Sequence, residues 1–343
     1  MSCQQLTFFD FNGENKLAAE SIEEREAIVR HHAKQGALFF VSTSGGSDSC
    51  AMAILIQSLV PASQIIYVHA HLGEVEHPGI IEHIKRFKPK SIPLYIVECE
   101  TKNFVDMVLE RMMWPSPRYR NCTSTLKTGP IDKLIRKVCA ERKIRIAYNC
   151  IGLRSAESVP RSKRSPLFIN SRLTLKSGKR VVYDFLPIFH YSKQETFEAI
   201  YQNNEVPFHV YETAYENGQV IRREGGNDRV SCQFCIMSNI NDLQCGARRY
   251  PDSYAQMVAL EKVTGHTMAF KTVKKEVVKV SLEEKTGIKA DELAVQRWVN
   301  KLRARKCEIE DAKLQSMQEK AKQQTLIPVT SVNGDNQTIA MPF

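Results

Sequence analysis

The chain of 343 residues is 43% hydrophobic and 25% charged, a balance typical of a globular protein of about two domains. No apolar run approaches the roughly 18 residues of a membrane span, and no basic-then-apolar signal pattern opens the chain, so we expect a cytoplasmic protein without a membrane partner. The formal net charge of +10 favours a polyanionic partner, either a nucleotide or a nucleic acid.

Apolar runs alternate with helical patterns along the first half of the chain. A polar lead at 1–35 ends in a helix that begins near Ser21, whose distance from Glu24 is that of a capping box. We then predict strands at 37–43, 64–70, 93–98 and 144–151, and helices at 50–60, 78–88, 102–113 and 129–143. This alternation predicts an α/β fold, a doubly wound, Rossmann-like parallel sheet that binds ligands at the carboxyl ends of its strands.

The second half begins with a polar and basic loop at 155–181. A cysteine-bearing segment follows at about 225–247, and the chain after 325 is polar and without period, so we expect a disordered tail. Helices are predicted to begin at Ser192, where Glu195 completes a capping box, and to span 251–264 and about 282–324.

A serine- and glycine-rich turn lies between the first predicted strand and its helix: Ser44, Gly45, Gly46, Ser47, Asp48 and Ser49. Glycines let the backbone approach an anion, and the N-terminus of the following helix attracts it. The common phosphate loop needs a lysine after its second glycine, which is missing here. The order SGGxDS instead resembles the pyrophosphate-binding loop of the ATP pyrophosphatase superfamily, the adenine nucleotide alpha hydrolase-like proteins, which cut ATP between its α and β phosphates. An ordinary serine-rich turn is the structural alternative.

Two further motifs sharpen the resemblance to one branch of that superfamily. The first is Arg120, Cys122, Lys127 and Pro130, and the second is the G-x-R-x-x-E-S-x-x-R segment that runs from Gly152 to Arg161. Together they resemble the phosphoadenosine phosphosulfate (PAPS) reductase family, in a pattern close to the DNA phosphorothioation and phage-type members. The resemblance covers about 36–265. It divides the chain into a helical lead at 1–35, a nucleotide-binding domain at 36–225, a cysteine module at 226–265 and a charged helical C-terminal region at 266–343.

The resemblance implies ATP and Mg²⁺ as ligands and assigns catalytic candidates among the charged residues. Splitting ATP develops charge on the phosphates, which cationic side chains and Mg²⁺ can stabilise. Arg154 is the first candidate for a phosphate clamp because its planar guanidinium can bind in a bidentate manner, and Lys127 and Arg161 follow. Asp48 would hold Mg²⁺ or fix the loop. A solvated surface charge or an ion pair with Glu157 is the structural alternative for these cations.

His69 and His71 alternate on a predicted strand and therefore face the same side. Glu74, Glu76 and His77 follow directly. A divalent-metal site is one interpretation. A strand end near the nucleotide with no ligand role is the other.

The ten cysteines of a cytoplasmic protein are expected to be thiols or metal ligands rather than disulfides. Cys232 and Cys235 have the CxxC spacing at which two thiolates bind one metal, although a redox pair or two incidental thiols have the same spacing. Some family members hold an iron–sulfur cluster with a Cys-Cys pair and a distant CxxC, and this chain has Asn121 in place of one cysteine of that pair. The resemblance implies a [4Fe–4S] cluster, with Zn²⁺ as the alternative, on Cys122, Cys232, Cys235 and Cys245.

Three functions follow from the resemblance. The first is an ATP pyrophosphatase that converts ATP to AMP and pyrophosphate and activates a nucleic acid for sulfur transfer from a donor protein such as a cysteine desulfurase. The basic loop at 155–181 would contact the nucleic acid or be a solvated insertion. The second is a sulfonucleotide reductase that releases sulfite. Its usual catalytic cysteine lies in an E-C-G-x-H motif, whereas the last cysteine here is Cys307, between Lys306 and Glu308. The third is a non-catalytic, nucleotide-binding regulatory protein.

Overall fold

Six strands form one mostly parallel sheet in the computed structural model, which describes residues 21–273 and 276–325. The strands are β1 (Leu38–Ser42), β2 (Ile65–Ala70), β3 (Leu94–Val97), β4 (Ile146–Ile151), β5 (Leu167–Ile169) and β6 (Val181–Phe185). Their spatial order is β3-β2-β1-β4-β6-β5, and every neighbouring pair is parallel except β5 with β6. The predicted α/β sheet is confirmed. The polar lead before residue 21 and the tail after 325 lie outside the described residues.

Strand β1 lies at the centre of the sheet and is buried on both faces. Phe39 and Val41 pack on one face, in a core that includes Val29 and Ile56. Phe40 packs on the opposite face against Ile135 and its neighbours. A strand covered on both sides must be apolar at consecutive positions, which is why the run Leu-Phe-Phe-Val was a strong strand signal.

In the described residues, twelve α-helices surround this sheet and extend beyond it. They are α1 (Ile22–Lys34), α2 (Ser47–Leu59), α3 (Ile80–Phe87), α4 (Phe104–Arg111), α5 (Asn121–Thr123), α6 (Gly129–Glu141), α7 (Val159–Ser162), α8 (Lys193–Gln202), α9 (Ile240–Arg249), α10 (Pro251–Thr264), α11 (Leu282–Thr286) and α12 (Glu292–Thr325). A π-helical turn, Ser124–Thr128, joins α5 to α6. None of the helices in the described ranges is long and apolar enough to cross a membrane.

Two predictions about local structure need correction. The single helix predicted over about 282–324 is divided into α11 and α12, because Gly287 adopts a φ of +70° that ends α11. The segment 155–181 is not a continuous loop. Its short apolar run forms β5, which pairs with the otherwise free edge of β6.

Two antiparallel hairpins were not predicted from the sequence. They are β7 (Thr213–Glu216) with β8 (Gln219–Arg222), and β9 (Ala269–Val273) with β10 (Glu276–Val280).

The C-terminal helices share one apolar core with α4. That core runs from Leu72 through Phe104 and Phe234 to Leu302, so it crosses the boundary predicted at residue 265. The Arg305 guanidinium in α12 donates two hydrogen bonds to the Asp106 carboxylate, at 2.8 and 3.1 Å. The C-terminal region is thus attached to the side of the sheet domain through α4.

Candidate functional site

The residues 44–49, which we call the phosphate loop, lie at the point where the strand order reverses. Strand β1 precedes the loop. Strands β2 and β3 lie on one side of β1 in the sheet, and β4, β6 and β5 lie on the other side. In open parallel sheets this switch point leaves a crevice at the carboxyl ends of the strands, where ligands bind. The predicted loop therefore lies where such a fold places its ligand.

The phosphate loop is held in a tight turn by its own residues. Gly46 caps α2, and Gly45 has a φ of +73°, which favours glycine. The backbone N–H of Ser44 donates to Ser49 Oγ at 3.2 Å, and that hydroxyl donates to the carbonyl of Gly46 at 2.8 Å. Ser49 therefore braces the loop, and the N-terminus of α2 faces the crevice.

Gly152, just after β4, permits close packing against the start of α2. A Cβ at this position would lie 2.7 Å from the carbonyl oxygen of Asp48 and 2.9 Å from the Ser49 nitrogen. Only glycine fits such an approach without a shift of backbone. The glycine of the second motif thus holds β4 against the phosphate loop.

Asp48 joins two cationic side chains. Its Oδ1 atom is 3.0 Å from the Nε of Arg154 and 3.7 Å from the Nζ of Lys193. Arg154 is buried, and the ion pair fixes its guanidinium beside the loop. Arg154, the predicted phosphate clamp, and Asp48, the predicted loop or Mg²⁺ residue, are therefore direct partners.

Lys193 was not among the predicted site residues. It is the first residue of α8, and its Nζ donates to Ser47 Oγ at 2.7 Å. The ammonium also lies 4.9 Å from the ring centre of Phe197 and 5.0 Å from that of Tyr211, both within cation–π range. Burial lowers its pKa, while Asp48 acts in the opposite direction. The capping box at Ser192 predicted the helix, and a lysine at the first position of that helix was the available signal.

Tyr211 was also missed. Its buried hydroxyl accepts hydrogen bonds from the backbone N–H of Ser47 at 2.9 Å and of Val230 at 3.3 Å. Burial raises the pKa of the phenol, so it stays protonated. The side chain ties the segment before the CxxC motif to the first turn of α2.

A cleft of about 190 Å³, the loop cleft, opens beside these groups. Arg161 forms an ion pair with Glu157, and Arg229 Nη2 lies 3.9 Å from the same carboxyl group. The polar side chains that line this cleft come from the phosphate loop, from the second motif and from later segments of the chain. They are Ser44, Asp48, Ser49, Glu157, Arg161, Lys193, Tyr211 and Arg229. The loop cleft is small, strongly polar and rich in cations.

A second cleft of about 780 Å³, the basic cleft, adjoins the first and shares Ile151, Leu153 and Arg161 with it. Lys127 lies in the basic cleft rather than in the loop cleft. Of the other predicted cations, Arg161 lines both clefts, and Arg154 is held beside the loop by Asp48. The cationic lining of the basic cleft consists of Arg120, Lys127, Arg161, Lys163, Arg164 and Arg172.

Three of the four predicted metal-binding cysteines are neighbours. Burial raises the pKa of Cys122, and the nearby Cys235 raises it further. Burial likewise raises the pKa of Cys232, to which both other thiols add. Lys127, which lines the basic cleft, lowers the pKa of Cys122 and Cys232.

The fourth predicted ligand, Cys245, has other partners. Its Sγ lies buried in α9 and donates to the carbonyl of Gly225 at 3.1 Å. A single tetrahedral zinc would need sulfur atoms about 4 Å apart. Within residues 21–273 and 276–325, no three cysteines come within 4.8 Å of one another. The CxxC spacing brings Cys232 and Cys235 near each other but does not determine the orientation of α9, so the four-cysteine site stays a prediction.

A phosphate loop at the switch point of a parallel sheet defines the fold as that of a nucleotide-binding α/β protein. The chain belongs to the PAPS reductase family: the model of the phosphoadenosine phosphosulfate reductase domain matches residues 39–217, just over half of the chain. This confirms the predicted family and its adenine nucleotide alpha hydrolase-like superfamily, while the likeness to the DNA phosphorothioation and phage-type members stays a prediction.

Solved structures with a similar fold have low sequence identity. Phosphoadenylyl-sulfate (PAPS) reductase from Candida auris, in a phosphate complex, is 13% identical over 58% of this chain and 93% of its own, with a TM-score of 0.36. FMN adenylyltransferase from Candida glabrata, in complex with FMN and the ATP analogue AMPCPP, is 11% identical over 58% of this chain and 64% of its own, with a TM-score of 0.31. No curated protein sequence matched the chain.

Proposed function

We propose that the chain is an ATP pyrophosphatase-type enzyme that activates a nucleic acid for sulfur transfer. The observation that carries this proposal is the phosphate loop, in which Lys193 Nζ lies 2.7 Å from Ser47 Oγ at the N-terminus of a 13-residue helix. Helix dipole, backbone N–H groups and a fixed ammonium together attract an anion with several negative oxygens. The pyrophosphate part of ATP has that chemistry.

The cations around Asp48 would neutralise the charge that develops when the α–β bond breaks. Arg154 and Lys193 are already held by Asp48, so little rearrangement is needed at the moment of reaction. Asp48 and Glu157 supply the hard oxygen donors that suit Mg²⁺ in this cleft. Bound Mg²⁺ would supply further neutralisation of the phosphates.

The basic cleft supports a nucleic acid as the acceptor. Its cationic lining suits a phosphate backbone, and Arg161 belongs to both clefts. In the proposed reaction, an acceptor oxygen forms a bond to the α-phosphorus and pyrophosphate leaves. A sulfur nucleophile, delivered by a donor protein such as a cysteine desulfurase, then displaces AMP.

A [4Fe–4S] cluster stays a prediction for the thiol region. The closeness of Cys122, Cys232 and Cys235 supports three of its ligands, whereas Cys245 has a different partner. All nine described cysteines are free, which is in keeping with a reducing, cytoplasmic compartment.

Product analysis tests the proposed reaction. Anaerobically purified protein is incubated with Mg-ATP, and separately with PAPS and a thiol reductant, in the presence and absence of single-stranded DNA or tRNA. We expect AMP and pyrophosphate from ATP and no sulfite from PAPS. Sulfite from PAPS would contradict the proposal.

The sulfonucleotide reductase is the second candidate, and family membership favours it. The arrangement around Cys307 does not, because this cysteine lies exposed within α12, in the sequence Lys-Cys-Glu-Ile. Nucleotide binding without any product would instead favour the non-catalytic, regulatory alternative. In that case, a protein of the DNA phosphorothioation or phage type would serve only as a nucleotide-binding component.

A further inference from the structure

His69, His71 and Glu76 form a compact group, the histidine cluster, outside both clefts. His69 Nε2 lies 3.3 Å from the Glu76 carboxylate, and His71 Nδ1 lies 2.6 Å from it. In the part of the chain that the structure describes, these are the one set of three histidine, cysteine or carboxylate side chains whose ligand atoms all lie within 4.8 Å of one another. The distances are those at which three side chains can share a cation.

The environment of His69 fixes which of its nitrogens faces the carboxylate as an acceptor. His69 Nδ1 is 3.0 Å from the backbone carbonyl of Thr43. A carbonyl oxygen can only accept, so Nδ1 carries the proton and the neutral ring presents the lone pair of Nε2 to Glu76. A lone pair and a carboxylate repel unless a proton or a metal ion lies between them. Ligating histidines in proteins are held in this same way, with the second ring nitrogen donating to a backbone carbonyl.

The donor set and its exposure also fit a metal ion. The side chain of His69 is buried and that of Glu76 is 11% exposed, whereas the side chain of His71 is 30% exposed and leaves access from solvent. Two imidazoles and one carboxylate are the ligands of many zinc and iron sites, while Mg²⁺ and Ca²⁺ prefer oxygen alone.

We propose that His69, His71 and Glu76 bind a divalent first-row transition-metal ion such as Zn²⁺, separate from the Mg²⁺ that accompanies ATP. This site does not depend on the proposed reaction.

A metal ion in the histidine cluster would brace two parts of the candidate site. Thr43, which holds His69, directly precedes the phosphate loop. Glu76 pairs with Cys232 in an isolated antiparallel bridge, and the backbone N–H of Gln233 donates to the carbonyl of Val75 at 2.9 Å. The ion would therefore link the start of the phosphate loop to the CxxC segment.

Cobalt titration tests the site directly, because Co²⁺ replaces Zn²⁺ and its visible absorption reports its ligands. The full chain is stripped with a chelator, titrated with Co²⁺ and then back-titrated with Zn²⁺. His71→Ala is the test variant, and His31→Ala, which removes an exposed histidine of α1, is the matched control. Cys235→Ser removes the competing thiol chemistry of the CxxC motif.

We expect one cobalt band of nitrogen and oxygen ligation in the wild type, in His31→Ala and in Cys235→Ser. In His71→Ala we expect zinc affinity to fall by more than the roughly 10–100-fold that loss of an outer-shell partner costs. Equal zinc affinity in the wild type and His71→Ala would overturn the proposal. Loss of the band in Cys235→Ser with its retention in His71→Ala would also do so.

A second measurement covers the case in which His71→Ala fails to fold. Glu76→Gln keeps the size of the side chain but removes its charge. Zn²⁺ should raise the melting temperature of the wild type and of His31→Ala, and leave that of Glu76→Gln unchanged, since only bound ligand stabilises. An equal zinc-induced shift in Glu76→Gln would mean that zinc binds without the Glu76 carboxylate, and no shift in the wild type would mean that protonated histidines rather than a metal ion satisfy it; either result would overturn the proposal.

Discussion

At the scale of single residues, Asp48 determines the electrostatics of the candidate site. It holds Arg154 at 3.0 Å and lies 3.7 Å from the ammonium of Lys193, so two cations are positioned by one carboxylate. The sequence motif identified Asp48 and Arg154, but not that they are partners. Asp48 therefore orders two cations of the candidate site.

Asp48→Asn should destabilise the protein, because it leaves the buried Arg154 without its counter-charge. We expect a loss of about 1–3 kcal/mol in the free energy of unfolding, measured by urea denaturation. Glu100→Gln is the matched control, because Glu100 pairs with Lys133 in an ion pair that is largely exposed on both sides. Equal stability of wild type and Asp48→Asn would show that the pair contributes nothing to folding.

The affinity for pyrophosphate should depend on the charge of Lys193. Burial lowers the pKa of this ammonium from its ordinary value of 10.5, so it loses its proton at a lower pH than an exposed lysine does. Affinity should therefore fall as pH rises through that lowered pKa. Lys193→Arg keeps its charge over this range, so its affinity should fall less between about pH 7 and 10. Superimposable pH profiles of the dissociation constant for the two proteins would refute this assignment.

At the scale of elements, the site depends on the close approach of β4 to the first turn of α2. Gly152 makes that approach possible, and the N-terminus of α2 then faces the crevice beside β1. The helix dipole and the backbone N–H groups of the turn can attract an anion in the crevice only while β4 and α2 keep this relative position. The position of one glycine thus links the packing of β4 to the geometry of the candidate site.

Gly152→Ala should disturb both stability and binding, since the added Cβ would lie 2.7 Å from the Asp48 carbonyl. We expect a loss of about 1–3 kcal/mol in the free energy of unfolding and a weaker affinity for pyrophosphate, measured by denaturation and calorimetry. Gly129→Ala is the control, because its Cβ would approach nothing closer than 3.2 Å and alanine favours a helix start. Wild-type behaviour of Gly152→Ala would contradict the role given to this contact.

The sequence predicted those elements whose signal is local. Strands β1 to β4 are apolar runs, and the helix starts at Ser21 and Ser192 are capping boxes, which depend on residues three positions apart. The hairpin of β7 and β8 was missed because its strands are only four residues long and largely exposed, although the Asn217-Gly218 turn between them is a hairpin signal. Lys193 was missed because its contact with Ser47 joins residues 146 positions apart. Cys245 shows the same limit, since the orientation of α9 depends on tertiary packing.

At the scale of the whole molecule, two clefts of different size meet at Arg161. The loop cleft of about 190 Å³ suits a small anion, and the basic cleft of about 780 Å³ offers a longer cationic surface. The net charge of +10 is therefore partly concentrated beside the candidate site. The proposed nucleotide site and the proposed nucleic-acid surface are therefore neighbouring but distinct.

Replacing Lys163 and Arg164 by alanine should weaken nucleic-acid binding without changing the affinity for pyrophosphate, because both line only the basic cleft. Each lost phosphate contact should reduce the salt dependence of binding by about one unit of slope, measured by fluorescence anisotropy with single-stranded DNA at several salt concentrations. Lys313→Ala with Lys320→Ala, both exposed on α12, is the control. An unchanged slope in the basic-cleft variant would exclude this surface as the acceptor site.

The central claim, that residues 44–49 and Lys193 bind the pyrophosphate part of ATP, is tested most directly by calorimetric titration with pyrophosphate and with AMPCPP. The wild type, Lys193→Ala and the exposed control Lys90→Ala are compared in the presence of Mg²⁺. Loss of a charge-assisted hydrogen bond should weaken binding of both ligands at least about tenfold in Lys193→Ala, with no change in Lys90→Ala. Equal affinities of Lys193→Ala and the wild type for both ligands would contradict the account.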